Sequence, residues 1–446
     1  MRKIYRGLLT CSLLYGCSKP APTPVSDENT AEAKKTDVIV IMIDTLRADH
    51  LPIHGYKKNT SPFLTQWAEE SAVFNTAWST SSWTAPSTAS VFTGLYPNQH
   101  GVTLGLFAPS HDIEKMRAGE ESQIGGTALP EELTILPEFF KEAGYATLGV
   151  AANINLGPEL GFQKGFDKFH YAHQATAREL ATKLVSWTRT INAGPSFVYM
   201  HLNDVHSPYL KRDPWYVPST DLVEDMQAAY DSEINYTDLY IQRMIEQFKW
   251  QDDLVFVITD HGEEFFDHGQ EGHLTTLYRE LSQVVWMVHG PQVQTQRITG
   301  NASLVDVLPT LLDLSDIKIP DNMAGISLAD QLTGKANQEK TLWERPVFQH
   351  RAERQSLDES KWRDLWGVTH KNYRLIAEKD QSELYDLTKD IAEKNNLAGK
   401  KTDVVAALRE TLHSFQKDPG KTWKKEIYVD LDNVLYEQLK TIGYVE

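Results

Sequence analysis

Two nearly continuous apolar, β-branched runs dominate the chain, Val38-Ile39-Val40-Ile41-Met42-Ile43 and Leu254-Val255-Phe256-Val257-Ile258. Neither shows the polar alternation of a strand with one wet face, which predicts central parallel strands covered on both sides. Further strands are predicted at Tyr145 to Ala151, Phe197 to Leu202 and Val284 to Val288. Helical patterns lie between them, at Pro62 to Ser71, Leu133 to Ala143 (closed by Gly144), Ala175 to Ile191 and Asp225 to Phe248. Alternating strands and helices predict an α/β fold with a doubly wound sheet. The polar, Gly-containing stretch from Gly105 to Pro130 reads as an inserted surface loop near the site. After about residue 340 the pattern changes to paired strands over Leu365 to Ala377, turning at Lys371-Asn372, and a helix over Asp403 to Lys417. The expected division is a main α/β domain over 36–340 and a smaller C-terminal α+β subdomain over 341–446.

Within the main domain, Trp83 to Gly94 stands out. Pro86 fits the first turn of a helix and Gly94 a left-handed stop two turns later. The Thr84 hydroxyl then sits where free backbone N–H groups and the helix dipole favour an anion or a developing alkoxide. Such a hydroxyl is either a nucleophile or an N-cap. Three buried strands end in polar residues: Asp44, the segment Asp204 to His206, and Asp260-His261. In open α/β sheets these carboxyl ends share the edge where ligands bind. Clustered carboxylates there require a compensating cation or proton. Asp44, Asp260, His261 and the Thr84 oxygen make a four-ligand site for one divalent ion, with Zn or Mn favoured over Mg and Ca allowed. The ion would lower the hydroxyl pKa and polarise a tetrahedral ester. Taken singly, Asp44 also reads as a turn cap and His261 as a hydrogen-bonded loop residue.

Of the 446 residues 41% are hydrophobic and 24% charged, a globular composition, and the net charge of −17 argues against a nucleic acid partner. Cys11 and Cys17 are the only cysteines, so neither thiol chemistry nor a disulfide framework is expected in the body of the fold. Both lie in a basic-then-apolar start (Arg2, Lys3, Arg6, then Gly7 to Tyr15) ending in Leu14-Tyr15-Gly16-Cys17. This resembles a bacterial lipobox, with residues 1–17 a lipoprotein signal peptide, lipid on Cys17 and residues 18–35 a disordered tether. The expected protein is exported and anchored to a membrane facing periplasm or cell surface; a plain secretory signal is the alternative. No later stretch is long and apolar enough to cross a membrane.

Val38 to Asp49, Thr84 to Gly101 and Thr259 to Glu263 resemble the sulfatase family of the alkaline phosphatase superfamily. So do Gly144-Tyr145-Ala146-Thr147, Leu308-Pro309-Thr310-Leu311-Leu312-Asp313, Glu383-Leu384-Tyr385-Asp386-Leu387 and the closing Leu439 to Val445. The resemblance implies an alkaline phosphatase-like fold, a metal at Asp44, Asp260 and His261, and a nucleophile at Thr84. It also implies that His206 and His273 touch the substrate or leaving group, with His268 a weaker candidate. The chain departs from the family at informative places. Thr84 and Thr88 stand where sulfatases carry a Cys or Ser converted to formylglycine and, four residues on, an Arg, so no formylglycine is expected. Thr45 replaces a second metal-binding Asp, and Asn153 and Asn155 stand in place of a Lys and a His. An unmodified, metal-bound Thr resembles phosphate-handling relatives such as nucleotide pyrophosphatases/phosphodiesterases and phosphoethanolamine and glycerol-phosphate transferases. Two-metal relatives need a further Asp and two His, for which Asp204, His206 and His273 are the available residues. The expected activity is metal-dependent hydrolysis of phosphate or phosphonate esters through Thr84, on a small-molecule, lipid or glycan ester. Sulfate-ester hydrolysis in the strict sense and a non-catalytic lipoprotein on a hydrolase scaffold are the alternatives.

Overall fold

The computed structural model describes residues 35–445 apart from 274, 336–341 and 354–362. The expected signal peptide, and the tether up to residue 34, lie outside the described residues. The main sheet has eight strands: β1 Val38–Ile43, β2 Ala72–Phe74, β3 Ala146–Ala151, β4 Lys168–Tyr171, β5 Ser196–Leu202, β6 Leu254–Thr259, β7 Trp286–His289 and β8 Gln296–Ile298. They are ordered β8-β2-β7-β6-β1-β5-β3-β4. β1 lies at the centre, parallel to β5 and β6, and β7 runs antiparallel to both its neighbours.

The unbroken apolar runs are explained by burial on two faces. Val38, Val40 and Met42 enter one core cluster while Ile39, Ile41 and Ile43 enter the other. The first core holds helix α1, Thr84–Thr93, every residue of which is buried. The second is roofed by α2, Leu222–Phe248, through Tyr230, Ile234, Ile241, Met244 and Ile245. After the main sheet, an antiparallel sheet of β9 Val347–Glu353, β10 Arg363–His370, β11 Tyr373–Glu378 and β12 Gln381–Asp386 follows in sequence order. Helix α3, Thr402–Lys417, packs Leu408 and Leu412 on Val368, Leu375 and Leu384 of that sheet.

Three expectations change. The strand expected over 284–288 divides: Gln283–Val284 pairs with Ala77–Trp78, and only Trp286–His289 joins the main sheet. The helix expected over 175–191 breaks at Trp187 into Ala177–Val185 and Thr188–Ile191. The stretch 105–130 is no surface loop. It contains the helix Ser110–Arg117 and the strand Gln123–Thr127, which pairs antiparallel with Glu426–Asp430.

The helix Val307–Leu314 packs beside α1, and the buried Asp306 organises its start. Asp306 accepts from the backbone N–H groups of Ser303 and Ile326 (both 2.9 Å) and forms a two-pronged pair with Arg345 (both 2.8 Å). Removing the cation leaves a buried, unpaired carboxylate. Arg345→Ala is therefore expected to cost about 3–5 kcal/mol, read as a lowered urea midpoint, with Arg345→Lys retaining part of the loss.

Candidate active site

Register brings the polar strand ends together. Ile43 lies opposite both Leu202 and Thr259, so the next residue of each strand, Asp44, Asn203 and Asp260, emerges at the same level of one edge. Ligand atoms of Asp44, Asp260 and His261 all lie within 4.8 Å of one another, and all three residues are fully buried. His261 Nε2 is 3.5 Å from Asp44 Oδ1 and 3.6 Å from Asp260 Oδ2. Each ligand is oriented by a second partner. Asp44 Oδ2 accepts from Asn153 Nδ2 at 2.6 Å, and Asp260 Oδ1 accepts from the backbone N–H groups of Thr45 (3.3 Å) and His261 (2.8 Å). His261 Nδ1 faces the Gly262 carbonyl at 2.9 Å, which assigns its proton there and leaves Nε2 bare.

What remains is a set of atoms with nothing to bind. Asp44 Oδ1 and Asp260 Oδ2 are buried without a hydrogen-bond partner. Burial, reinforced by the charge of Asp260, pushes the Asp44 carboxyl above its ordinary range. Burial pushes the His261 imidazole down. Burial would raise Asp260 as well, but His261 and His201 outweigh it and hold that carboxyl low. A divalent cation would satisfy both bare oxygens and the bare nitrogen at once, and the mixed O and N donors suit Zn or Mn.

Thr84 is the first residue of α1. The N-cap is Trp83, in an extended conformation, and no side chain caps the helix, so the capping alternative for Thr84 is set aside. Its hydroxyl instead faces the cluster, 3.3 Å from His261 Nε2 and 3.3 Å from the donating Asn153 Nδ2. Ser79 fixes the turn before α1 to the strand edge, donating to the Asp260 carbonyl and meeting Ser87 of the helix. Gly262 is required by space: a Cβ there would fall 1.9 Å from the Glu280 carbonyl oxygen. Thr88 lies buried under the site against Met42 Sδ. Asn155 holds Asn153, donating its backbone N–H to Asn153 Oδ1 at 2.8 Å.

The two candidate histidines also converge. His273 lies tilted against His261, with ring centroids 4.6 Å apart, and His206 lies 5.0 Å from His273. His273 Nδ1 is held by Glu263 at 2.8 Å, and His206 Nδ1 by the Ser207 carbonyl at 2.7 Å. His268 belongs elsewhere, bound to Glu280 and the Glu393 carbonyl. Asp204 is also turned away: it accepts from the backbone N–H of Ala177 at 2.7 Å and pairs with Arg212, so it does not join His206 and His273 as a second metal set.

Two residues of this neighbourhood escaped the sequence reading. His201 is fully buried in β5, with Nε2 3.5 Å from Asp260 Oδ2 and Nδ1 3.9 Å from Asp44 Oδ2. Its one signal was a polar residue inside an apolar strand. Tyr444 places its hydroxyl 3.2 Å from His273 Nε2 and 3.4 Å from His206 Nε2, and only the familiar look of Leu439 to Val445 pointed that way.

A sheet covered on both faces, with acidic and imidazole groups at the carboxyl ends of its central strands, defines a doubly wound α/β protein with its site at that edge. Comparison with known proteins narrows this further. The family model "Sulfatase" matches residues 36–317, and that of the N-sulphoglucosamine sulphohydrolase C-terminal region matches 275–418. The chain belongs to the sulfatase family.

The Δ4,5-hexuronate-2-O-sulfatase of Bacteroides thetaiotaomicron is 22% identical over 449 residues, covering 86% of this chain and 89% of that protein. Arylsulfatase K of Xenopus laevis is 25% identical over 264 residues, covering 53% of this chain and 48% of its own, so the chain spans about half the length of that relative. Among solved structures, the phosphonate monoester hydrolase of Agrobacterium radiobacter superposes with a TM-score of 0.68 at 16% identity, covering 86% of this chain and 96% of the other. A 2-O GAG sulfatase superposes with a TM-score of 0.67 at 19% identity, covering 86% and 92%. At these identities the structures establish the fold.

The cluster yields a direct expectation. Chelator-stripped protein should take up one equivalent of Zn or Mn per chain by elemental analysis. An ion at 100 times its Kd should stabilise the fold by about 2.7 kcal/mol in a thermal or urea melt. Asp260→Ala should lose both effects.

Proposed function

We propose that the protein is a metal-dependent ester hydrolase that cleaves phosphate or phosphonate esters with Thr84 as nucleophile. One observation carries the reading: the Thr84 hydroxyl, free of any capping role, stands 3.3 Å from the bare nitrogen of His261 and beside two buried carboxylates with unpartnered oxygens. Asp44, Asp260, His261 and the Thr84 oxygen would hold the ion. When bound, it supplies charge that acidifies the hydroxyl and stabilises the oxygens of the reacting ester.

The residues perform the rest. The head of α1 holds the Thr84 oxygen for in-line attack, and Asn153 donates a hydrogen bond that steadies the same oxygen. The bond from phosphorus to the leaving oxygen breaks as the bond to Thr84 forms. His206 or His273 protonates the leaving oxygen, and water then resolves the phosphothreonine. The preference for phosphorus follows from the residue type. Oxidation of Cys or Ser gives the aldehyde that sulfatases hydrate, whereas oxidation of a secondary alcohol such as Thr would give a ketone. Uncharged Thr88 and Asn153 in place of Arg and Lys fit a site that leans on its ion for positive charge. The solved phosphonate monoester hydrolase of the same fold supports this choice.

Sulfate esters are the second reading, favoured by the names of the relatives and the high mutual coverage with the hexuronate sulfatase. On either reading the ester is carried by a small molecule, a lipid or a glycan. The proposed setting is outside the cytoplasm, with a lipid on Cys17 tethering the enzyme to a membrane.

Thr84→Ala should lower turnover of aryl phosphate and phosphonate esters at least about a thousandfold, while Thr84→Ser keeps measurable activity. Acid-quenched turnover should leave a phosphoryl group on Thr84, detected by peptide mass spectrometry. Undiminished release by Thr84→Ala would overturn the mechanism, and faster turnover of the matched aryl sulfate would transfer the assignment to sulfate.

A further inference from the structure

The segment following the Glu426–Asp430 strand turns back into the site. Asp432 caps the helix Asn433–Thr441, whose Tyr436 and Leu439 are buried. Gly443 takes φ 77°, a left-handed turn natural to glycine, and aims the next residue inward. The Tyr444 backbone is held on both sides, its N–H by the Leu439 carbonyl at 2.8 Å and its carbonyl by the Ala108 N–H at 3.0 Å. The ring is 1% exposed and lies edge-on to Trp83, the residue before the nucleophile.

The imidazoles around the phenol have fixed proton positions. His273 Nδ1 faces a carboxylate and His206 Nδ1 a carbonyl, groups that only accept, so each neutral ring carries its proton on Nδ1. Both bare Nε2 atoms therefore point at the Tyr444 hydroxyl. Burial pushes the pKa of that hydroxyl far up, so it stays a donor. One phenolic proton thus faces two groups that each need a donor, on a ring packed against the residue that precedes Thr84.

We propose that Tyr444 is a further catalytic residue, its hydroxyl donating to an oxygen of the group that passes from the ester to Thr84. This rests on the ester-hydrolase reading above. In that step the Thr84 oxygen bonds to phosphorus and the leaving oxygen departs with the electron pair of its bond. The proton lost by Thr84 passes to the bare Nε2 of His206 or His273, and that ring then gives it to the leaving oxygen. When water attacks, Thr84 regains a proton and inorganic phosphate leaves. Tyr444 contributes a hydrogen bond throughout and neither gains nor loses its proton. A donor aimed at charge that grows in the transition state lowers the barrier more than it aids binding.

The test compares Tyr444→Phe and Tyr444→Ala with the native chain, loaded with metal, on an aryl phosphate ester. Tyr444→Phe keeps the ring and its packing, so metal content and melting should match the native protein. Its kcat should fall about a hundredfold, with KM changed by less than about threefold. Tyr444→Ala should lose at least as much kcat. A Tyr444→Phe enzyme that keeps kcat within about threefold, or gains in kcat/KM because the phenol merely obstructs entry, would overturn the proposal. Quenched labelling separates the two readings. Native protein that never carries phosphate on Thr84 sinks both, whereas equal rates of Thr84 labelling in native and Tyr444→Phe enzyme sink only the role of Tyr444.

Discussion

Two carboxylates buried side by side, with no lysine or arginine paired to either among the described residues, are the constraint on which the rest of the site depends. Asp44 and Asp260 are delivered to one level by the parallel register of the central strands, a placement maintained by backbone bonds and by the apolar cores on either face. Mutual repulsion and desolvation would oppose that placement in an apo protein. The neighbours divide the oxygens accordingly: one of each pair is hydrogen-bonded within the protein, and the other is left bare toward His261 and Thr84. Gly262, Ser79 and Asn153 serve the same end, since each fixes a backbone or side chain that would otherwise relax away from the cluster.

The uncharged residues around this cluster matter as much as the ligands. The Asn153 amide nitrogen shares its two protons among Asp44, Thr84 and Asn203, which a lysine could do only by adding charge. Thr88 is packed on Met42 one turn along α1 from Thr84. On the proposed reading an ion would supply the positive charge of the site, and the remaining groups would act as hydrogen-bond donors. Such an environment fits a substrate whose charge is met by one strong centre and several oriented dipoles.

Much of this was legible in the chain because burial on two faces leaves an unmistakable apolar run, and the polar residue that ends such a run must lie at an edge. Asp44 and Asp260-His261 were found by that reasoning. Thr84 was ambiguous, since a Thr at a helix start is more often a cap than a nucleophile; with Trp83 as the N-cap the capping reading falls away, and the nucleophile is what we propose. Other features depend on partners far away in sequence. The strand at 123–127 looked like loop because its complement lies at 426–430. His201 was hidden by the apolar strand around it, and Asp204 seemed part of the edge because the helix it caps, beginning at Ala177, gave no sign of needing a carboxylate.

The pairing of residues 123–127 with 426–430 has a consequence for assembly. A chain emerging from its N-terminus presents Asp44, Thr84, Asp260 and His261 well before it presents the Glu426–Asp430 strand and Tyr444. The cation site is thus complete in sequence while the wall that covers it is still being made, and long-range pairings of this kind form slowly. Covering the cluster therefore depends on a pairing between segments far apart in sequence, and not on the strands that carry Asp44, Asp260 and His261.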